Sequence, residues 1–141
     1  MTPPALSDLV EEYQFLEDRD DRTRFLIELG RGLEAMPDAL KTDATLVRGC
    51  SASVWVYATG DAAHLRFLAD SNAAITKGLV ALVIAAVQDR PAAEVAALDV
   101  PALLAPFDLS RQLSSNRTQG LPNMIALVRS TATRLTGMEA V

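Results

Sequence analysis

Apolar residues at Leu6, Leu9, Val10, Tyr13 and Leu16 recur at intervals of three and four, which puts them on one face of a helix over residues 5–17. The charged run Glu17-Asp18-Arg19-Asp20-Asp21-Arg22 follows and reads as a solvated turn. A second helical stripe carries Phe25, Leu26, Leu29 and Leu33, with Asp20 or Asp21 expected as its cap and Pro37 beyond its end. The period then shortens to two. Thr45-Leu46-Val47, Ser53 to Thr59 and His64 to Ala69 predict three short strands joined as an antiparallel meander. Alternation sets Trp55 with Ser53, Tyr57 and Thr59, opposite Val54, Val56 and Ala58, and the size of Trp55 favours a packing role.

Asp70-Ser71 is expected to open a long helix over residues 72–88, apolar almost all round and therefore central and buried. Arg90-Pro91 ends it. Short helical pieces follow near residues 92–98 and 101–107, and a last helix carries Met124, Ile125, Leu127, Val128 and Leu135 and closes at Gly137. The expected fold class is α+β, a small antiparallel three-stranded sheet with helices packed on one face. No repeat or linker divides residues 1–141, so a single domain is expected.

Composition narrows the classes of function. The chain has 141 residues, 50% hydrophobic and 22% charged, with a net charge of -5, which suits a globular domain with its own core. An acidic chain without a basic run is a poor phosphate binder, so no nucleic-acid partner is expected. The start of the chain lacks a cationic segment followed by an apolar one, and the longest apolar stretch, Gly78 to Val87, falls far short of the roughly 20 residues that span a membrane. A cytoplasmic protein with no membrane partner is the expectation.

There is one cysteine and one histidine. A lone thiol excludes an internal disulfide, a CxxC pair, a thiolate-built zinc site and a cluster held by this chain's own cysteines. Packing, nucleophilic chemistry or intermolecular pairing remain open for Cys50. It lies in the loop Val47-Arg48-Gly49-Cys50-Ser51-Ala52-Ser53, where Gly49 permits close backbone approach, small neighbours leave access and the Arg48 charge favours a thiolate. His64 is the one imidazole base on offer, and alternation sets it beside Arg66 on the side away from Leu65 and Phe67, which suits a solvated side chain. A metal site would have to borrow carboxylates or a second chain.

Five blocks in order resemble the SufE/CsdE family of sulfur acceptor proteins, the partners of cysteine desulfurases in iron-sulfur cluster assembly. They are Arg22 to Gly30 ending in Ile27-Glu28-Leu29-Gly30, Val47-Arg48-Gly49-Cys50 with Val54-Trp55, Asp70 to Leu79, Leu113-Ser114, and Asn116-Arg117-Thr118-Gln119-Gly120-Leu121 with Met124-Ile125. The resemblance implies that Cys50 accepts sulfur from the persulfide of a desulfurase, which it stimulates, and passes it toward an iron-sulfur scaffold complex. It also implies that Arg48, Gly49, Ser51, Asp70 and Arg117 form or orient the partner surface. The chain would then be an accessory protein without metal or resident cofactor, its cargo a transient persulfide on Cys50, with a homodimer as one possible assembly. For Asp70 or Ser71 a helix cap is the competing reading, and for Arg117 a salt bridge near the last helix. Close packing of the central helix is the reading for Lys77-Gly78.

Two features depart from the family pattern: Ala52-Ser53 where relatives carry Ser and an amide, and Pro122, which requires the last helix to kink or to begin late. Two rival functions are a regulatory module that binds the desulfurase without carrying sulfur, and a hydrolase that pairs Cys50 with His64.

Overall fold

A computed structural model describes residues 5–50, 52–114 and 118–139. The first helix, α1 (Leu6–Phe15), buries Leu9 and Tyr13 from the predicted stripe. The second, α2 (Arg19–Arg31), begins inside the charged run. Its cap is Asp18, whose carboxylate accepts from the Asp20 amide at 2.9 Å, and not Asp20 or Asp21, which lie in the first turn where their charges favour the helix dipole. The charged turn is thus shorter than the sequence suggested.

Two strands form the sheet, not three. The first, β1 (Val54–Gly60), pairs antiparallel with β2 (Leu65–Ser71), from Val54 opposite Ser71 to Gly60 opposite Leu65. The expected strand at 45–47 is reduced to a single bridge, Leu46 with Trp55, flanked by bonds from the Val47 amide to Val54 O at 2.8 Å and from the Val56 amide to Thr45 O at 2.9 Å. A full ladder does not develop because the chain on one side enters from the 3-10 turn Asp38–Leu40, and on the other leaves through Gly49 at φ 86° into the cysteine loop. Helices cover one face of the sheet, as expected: Val54, Val56, Leu65, Phe67 and Ala69 are buried beneath them. Trp55 faces the other way, half-buried, with the Lys41 ammonium 5.6 Å from its ring centroid.

The central helix, α3 (Ala74–Val87), starts later than residue 72 because β2 runs through Asp70 and Ser71. Its cap is Ala73, so neither Asp70 nor Ser71 is the cap residue, although the Ser71 hydroxyl accepts from the Ala73 amide at 3.3 Å. Ten of its residues are buried, including Thr76, Gly78 and the run Leu79 to Ile84. Short helices α4 (Ala92–Ala97), α5 (Val100–Leu104, capped by Asp99) and α6 (Leu109–Gln112) then lead to α7 (Leu121–Glu139). Pro122 sits in the first turn of α7, where its missing N–H is no loss, so the helix begins late and needs no kink at this point. It runs through Gly137 instead of closing there.

Gly30 of α2 and Gly78 of α3 bring these two helices to backbone distance. A Cβ on Gly30 would lie 2.8 Å from Gly78 N and 2.9 Å from Lys77 C, and a Cβ on Gly78 would lie 2.7 Å from Leu26 C. Neither backbone can move aside without unseating a buried helix. The Lys77-Gly78 dipeptide therefore does mark close packing. Gly78→Ala should cost about 2–3 kcal/mol by overpacking. A lowered urea midpoint at unchanged slope checks this, and a wild-type midpoint would refute it.

Candidate functional site

The cysteine loop runs from Val47, held by its bridge, to Val54 at the start of β1. Hydrogen bonds from two asparagines tie it to the body. The Asn123 amide of α7 donates to Arg48 O at 2.8 Å, and its Nδ2 occupies the space a side chain on Gly49 would need. At the far end the Ser53 amide donates to the Asn72 side-chain oxygen at 3.1 Å, and the Asn72 amide returns a bond to Ser53 O at 3.3 Å. A substituted residue 49 would meet both the Asn123 amide and an unfavourable positive φ.

Between these ties Cys50 turns half-buried against Gly120, just before α7. A Cβ on Gly120 would fall 2.8 Å from both Cα and Cβ of Cys50 and would overlap the sulfur, so any larger residue expels the thiol from this position. Beneath lies a small cavity of about 20 Å³ lined by Cys50, Ala52, Val54, Thr76, Leu79, Val80, Gly120, Leu121 and Met124. A volume of this order holds about one water-sized atom, and its mostly apolar lining disfavours water. Burial pushes the Cys50 thiol above its ordinary pKa. Loop and lining together keep the thiol protonated and sheltered in the isolated chain. Val54 lines this hollow, and Val47 is buried without reaching it.

Asp70 belongs to a different constellation. Its carboxylate accepts from Lys41 at 2.7 Å, from Lys77 at 3.2 Å and from the Ser71 amide at 2.8 Å. Burial opposes its ionisation, but these donors outweigh burial and hold the carboxyl below its usual range. Asp70 thus ties the 3-10 turn and α3 to the end of β2. Arg48 and Gly49 sit exposed in the loop itself. Ser51 and Arg117 lie outside the described residues.

His64 is far from the thiol. It precedes Leu65 at the turn end of the β1–β2 ribbon, whereas Cys50 precedes Val54 at the open end, and the ladder between them is about 20 Å long at roughly 3.3 Å per residue. A Cys-His hydrolase needs the two within hydrogen-bond reach, so that rival fails on geometry. No group of three or more His, Cys, Asp or Glu side chains among the described residues is arranged to hold a metal, and no described helix is long and apolar enough to cross a membrane.

The family model described as SufE, Fe-S metabolism associated domain, matches residues 7–132, the span that holds the cysteine loop, the cavity and both asparagine ties. This chain belongs to the SufE family. It is 37% identical over 132 residues to a SufE-like protein of Rhizobium meliloti, covering 91% of this chain and 94% of the relative. A SufE-like protein of Rhizobium etli is 36% identical over 132 residues, with 91% and 89% covered. The sulfur acceptor protein CsdE of Escherichia coli is 40% identical over 103 residues, with 72% of this chain and 70% of CsdE covered. The fold matches the solution structure of a hypothetical protein from Thermus thermophilus with a TM-score of 0.75 over 97% of this chain and 99% of that one, at 17% identity.

Reasoning along the sequence missed Asn72, Thr76, Gly120 and Asn123 as parts of the site. Three of the four lie inside blocks that carry the family resemblance, yet nothing local distinguishes a cavity-lining threonine or a loop-tying asparagine from a solvated one. Asn123 follows Pro122, the residue that fixes where α7 begins, and that start sets its reach to Arg48.

Asn123→Ala should release one end of the loop and raise the iodoacetamide rate at Cys50 severalfold, while costing no more than about 1.5 kcal/mol for one exposed hydrogen bond. An unchanged rate would show that the bond does not hold the loop. Since burial raises the thiol pKa, alkylation of the wild type should climb with pH to a midpoint above that of a free cysteine peptide. For Asp70 the sign is opposite. Its lowered folded-state pKa means that the unfolded chain binds the proton first, so the stability it contributes is complete above the usual carboxylate range and is lost as pH falls through it. Asp70→Asn should flatten that part of the stability curve measured by denaturation between mildly acidic and strongly acidic pH.

Proposed function

We propose that this chain is a sulfur acceptor of iron-sulfur metabolism that takes sulfur from a cysteine desulfurase onto Cys50. The observation that carries the reading is the seat of the single thiol over a cavity with room for one further atom. Family membership and the likeness to a sulfur acceptor support it. In the transfer the Cys50 thiolate attacks the outer sulfur of a persulfide on the desulfurase. A new sulfur–sulfur bond forms at Cys50, the old one breaks, and the desulfurase thiolate leaves with the electron pair, with no net oxidation or reduction, as in thiol–disulfide exchange.

The cavity suits such a carrier. Transfer requires the loop to swing the thiol out toward the donor, where loss of burial removes the penalty on the thiolate. Return seats the loaded cysteine against Gly120 and shields the outer sulfur from water and stray thiols. A single cysteine adds protection, since a second nearby thiol would attack the persulfide and discharge the sulfur as sulfide. Arg48 and Gly49, on the exposed crest of the loop, meet the desulfurase first, with Ser51 and Arg117 assigned to the same surface. Asp70 supports that surface by fixing the end of β2, one residue before the Asn72 tie. Metal and resident cofactor have no part in this scheme, an iron-sulfur scaffold complex receives the sulfur, and stimulation of the desulfurase follows from removal of its persulfide.

Intact mass measurement after incubation with a cysteine desulfurase and free cysteine tests the proposal. The expected result is a gain of one sulfur atom, reversed by reductant and absent in Cys50→Ser. A desulfurase that turns over and binds the chain without loading Cys50 would overturn the acceptor role and favour the regulatory module.

A further inference from the structure

The outward face of α1 carries a surface of a different kind. Asp8, Glu11, Glu12 and Phe15 recur at intervals of three and four, so they form one stripe turned away from the buried Leu9 and Tyr13, and all four are exposed. Phe15 is 86% exposed, against 40% for Tyr57, the other large apolar side chain left in solvent among the described residues. With half-buried Leu16 and Phe25 it borders an open groove at the junction of α1 and α2, and the same three carboxylates form the rest of the groove wall.

The charges on this stripe are unbalanced. Among the described residues none of the three carboxylates has an ion-pair partner, whereas α2 pairs Arg24 with Asp21 and Arg31 with Glu28 within its own turns. Arg22 reaches α1 from α2 but is held elsewhere: its Nε donates to Leu16 O at 2.7 Å and its guanidinium lies 4.7 Å from the Tyr13 ring centroid. Asp8 suits the helix dipole from the first turn. Glu11 and Glu12 do not, because they sit in the second half of a ten-residue helix whose last turn has no basic residue. Like charges three and four residues apart also repel, so the stripe weakens the helix that bears it.

We propose that this face docks a basic amphipathic helix of a partner protein. Lys or Arg side chains three and four apart on a facing helix match the spacing of the carboxylates, and an apolar side chain beside them packs on Phe15 in the groove of Leu16 and Phe25. The same carboxylates repel an anionic membrane or a nucleic acid. The face shares no residue with the Cys50 cavity or with the asparagine ties of the loop, so this inference stands apart from the sulfur-acceptor reading.

The probe is a synthetic helical peptide with Lys at the positions that meet the carboxylates and Leu at the one that meets Phe15; its control has the same residues in scrambled order. Amide shifts of the isotope-labelled chain locate the contact, and a titration gives the affinity. Shifts should centre on residues 8–25, the scrambled peptide should bind about tenfold more weakly, and affinity should fall severalfold between low and physiological salt. Phe15→Ser, and the pair Glu11→Lys with Glu12→Lys, should each weaken binding about tenfold, the size of one interface anchor. The lysine pair should melt no lower than wild type, because charge reversal suits the end of the helix. A lower melting temperature would make the carboxylates supports of the fold and overturn the inference. Equal binding of the scrambled peptide, which needs net charge only, or shifts confined to another face would overturn it too. So would self-association of the wild type abolished by Phe15→Ser, which would assign the face to a second copy of this chain.

Discussion

Burial of α3 is the constraint on which the rest of the molecule depends. A helix apolar around most of its circumference has to be enclosed, and no single neighbour can enclose it. On one side α2 approaches to backbone contact through Gly30 and Gly78; on another lies the inner face of the two-stranded sheet. At its N-terminal end the cover is incomplete. There the sheet stops at Val54 and Ser71, α7 is only beginning, and the cysteine loop supplies the missing cover over Thr76, Leu79 and Val80. The cavity is what that imperfect closure leaves behind. The Cys50 thiol thus sits where the cover of the core is incomplete.

Under the proposed acceptor role, this placement reconciles two demands on one side chain. A nucleophilic thiol must ionise and reach its donor, and a carrier of a labile sulfur must keep it from solvent. Burial alone satisfies the second at the expense of the first, and it does raise the Cys50 pKa. A loop held by a few side-chain bonds, at Asn123 on one side and Asn72 on the other, satisfies both in turn. Each such bond contributes about 1 kcal/mol net, small enough to exchange for contacts with a partner and large enough to favour the closed form in its absence.

Charge plays a separate part. Asp70, between Lys41 and Lys77, is the best satisfied carboxylate near the site, and it joins three parts of the chain: the 3-10 turn, the end of β2 and the first turns of α3. It fixes these parts to one another beside the cysteine loop. Most other ion pairs lie within one helical turn on exposed faces, such as Arg24 with Asp21 and Arg31 with Glu28, and contribute little to either fold or site.

The sequence by itself determined the helical stripes, the buried central helix, the alternation of the two strands and the one thiol able to do chemistry. Each of these follows from local periodicity or from the count of a residue type. It misjudged elements whose ends depend on neighbours: a third strand that amounts to one bridge, a cap at Asp18, and a cap at Ala73 in place of Asp70 or Ser71. Only the tertiary structure decided that Gly120 and Asn123 meet the cysteine loop and that His64 stands at the far end of the ribbon. These facts join residues tens of positions apart, or turn on where one helix starts. A periodic pattern reports which face of an element is buried, whereas the site is made at the places where elements end and distant segments come into contact.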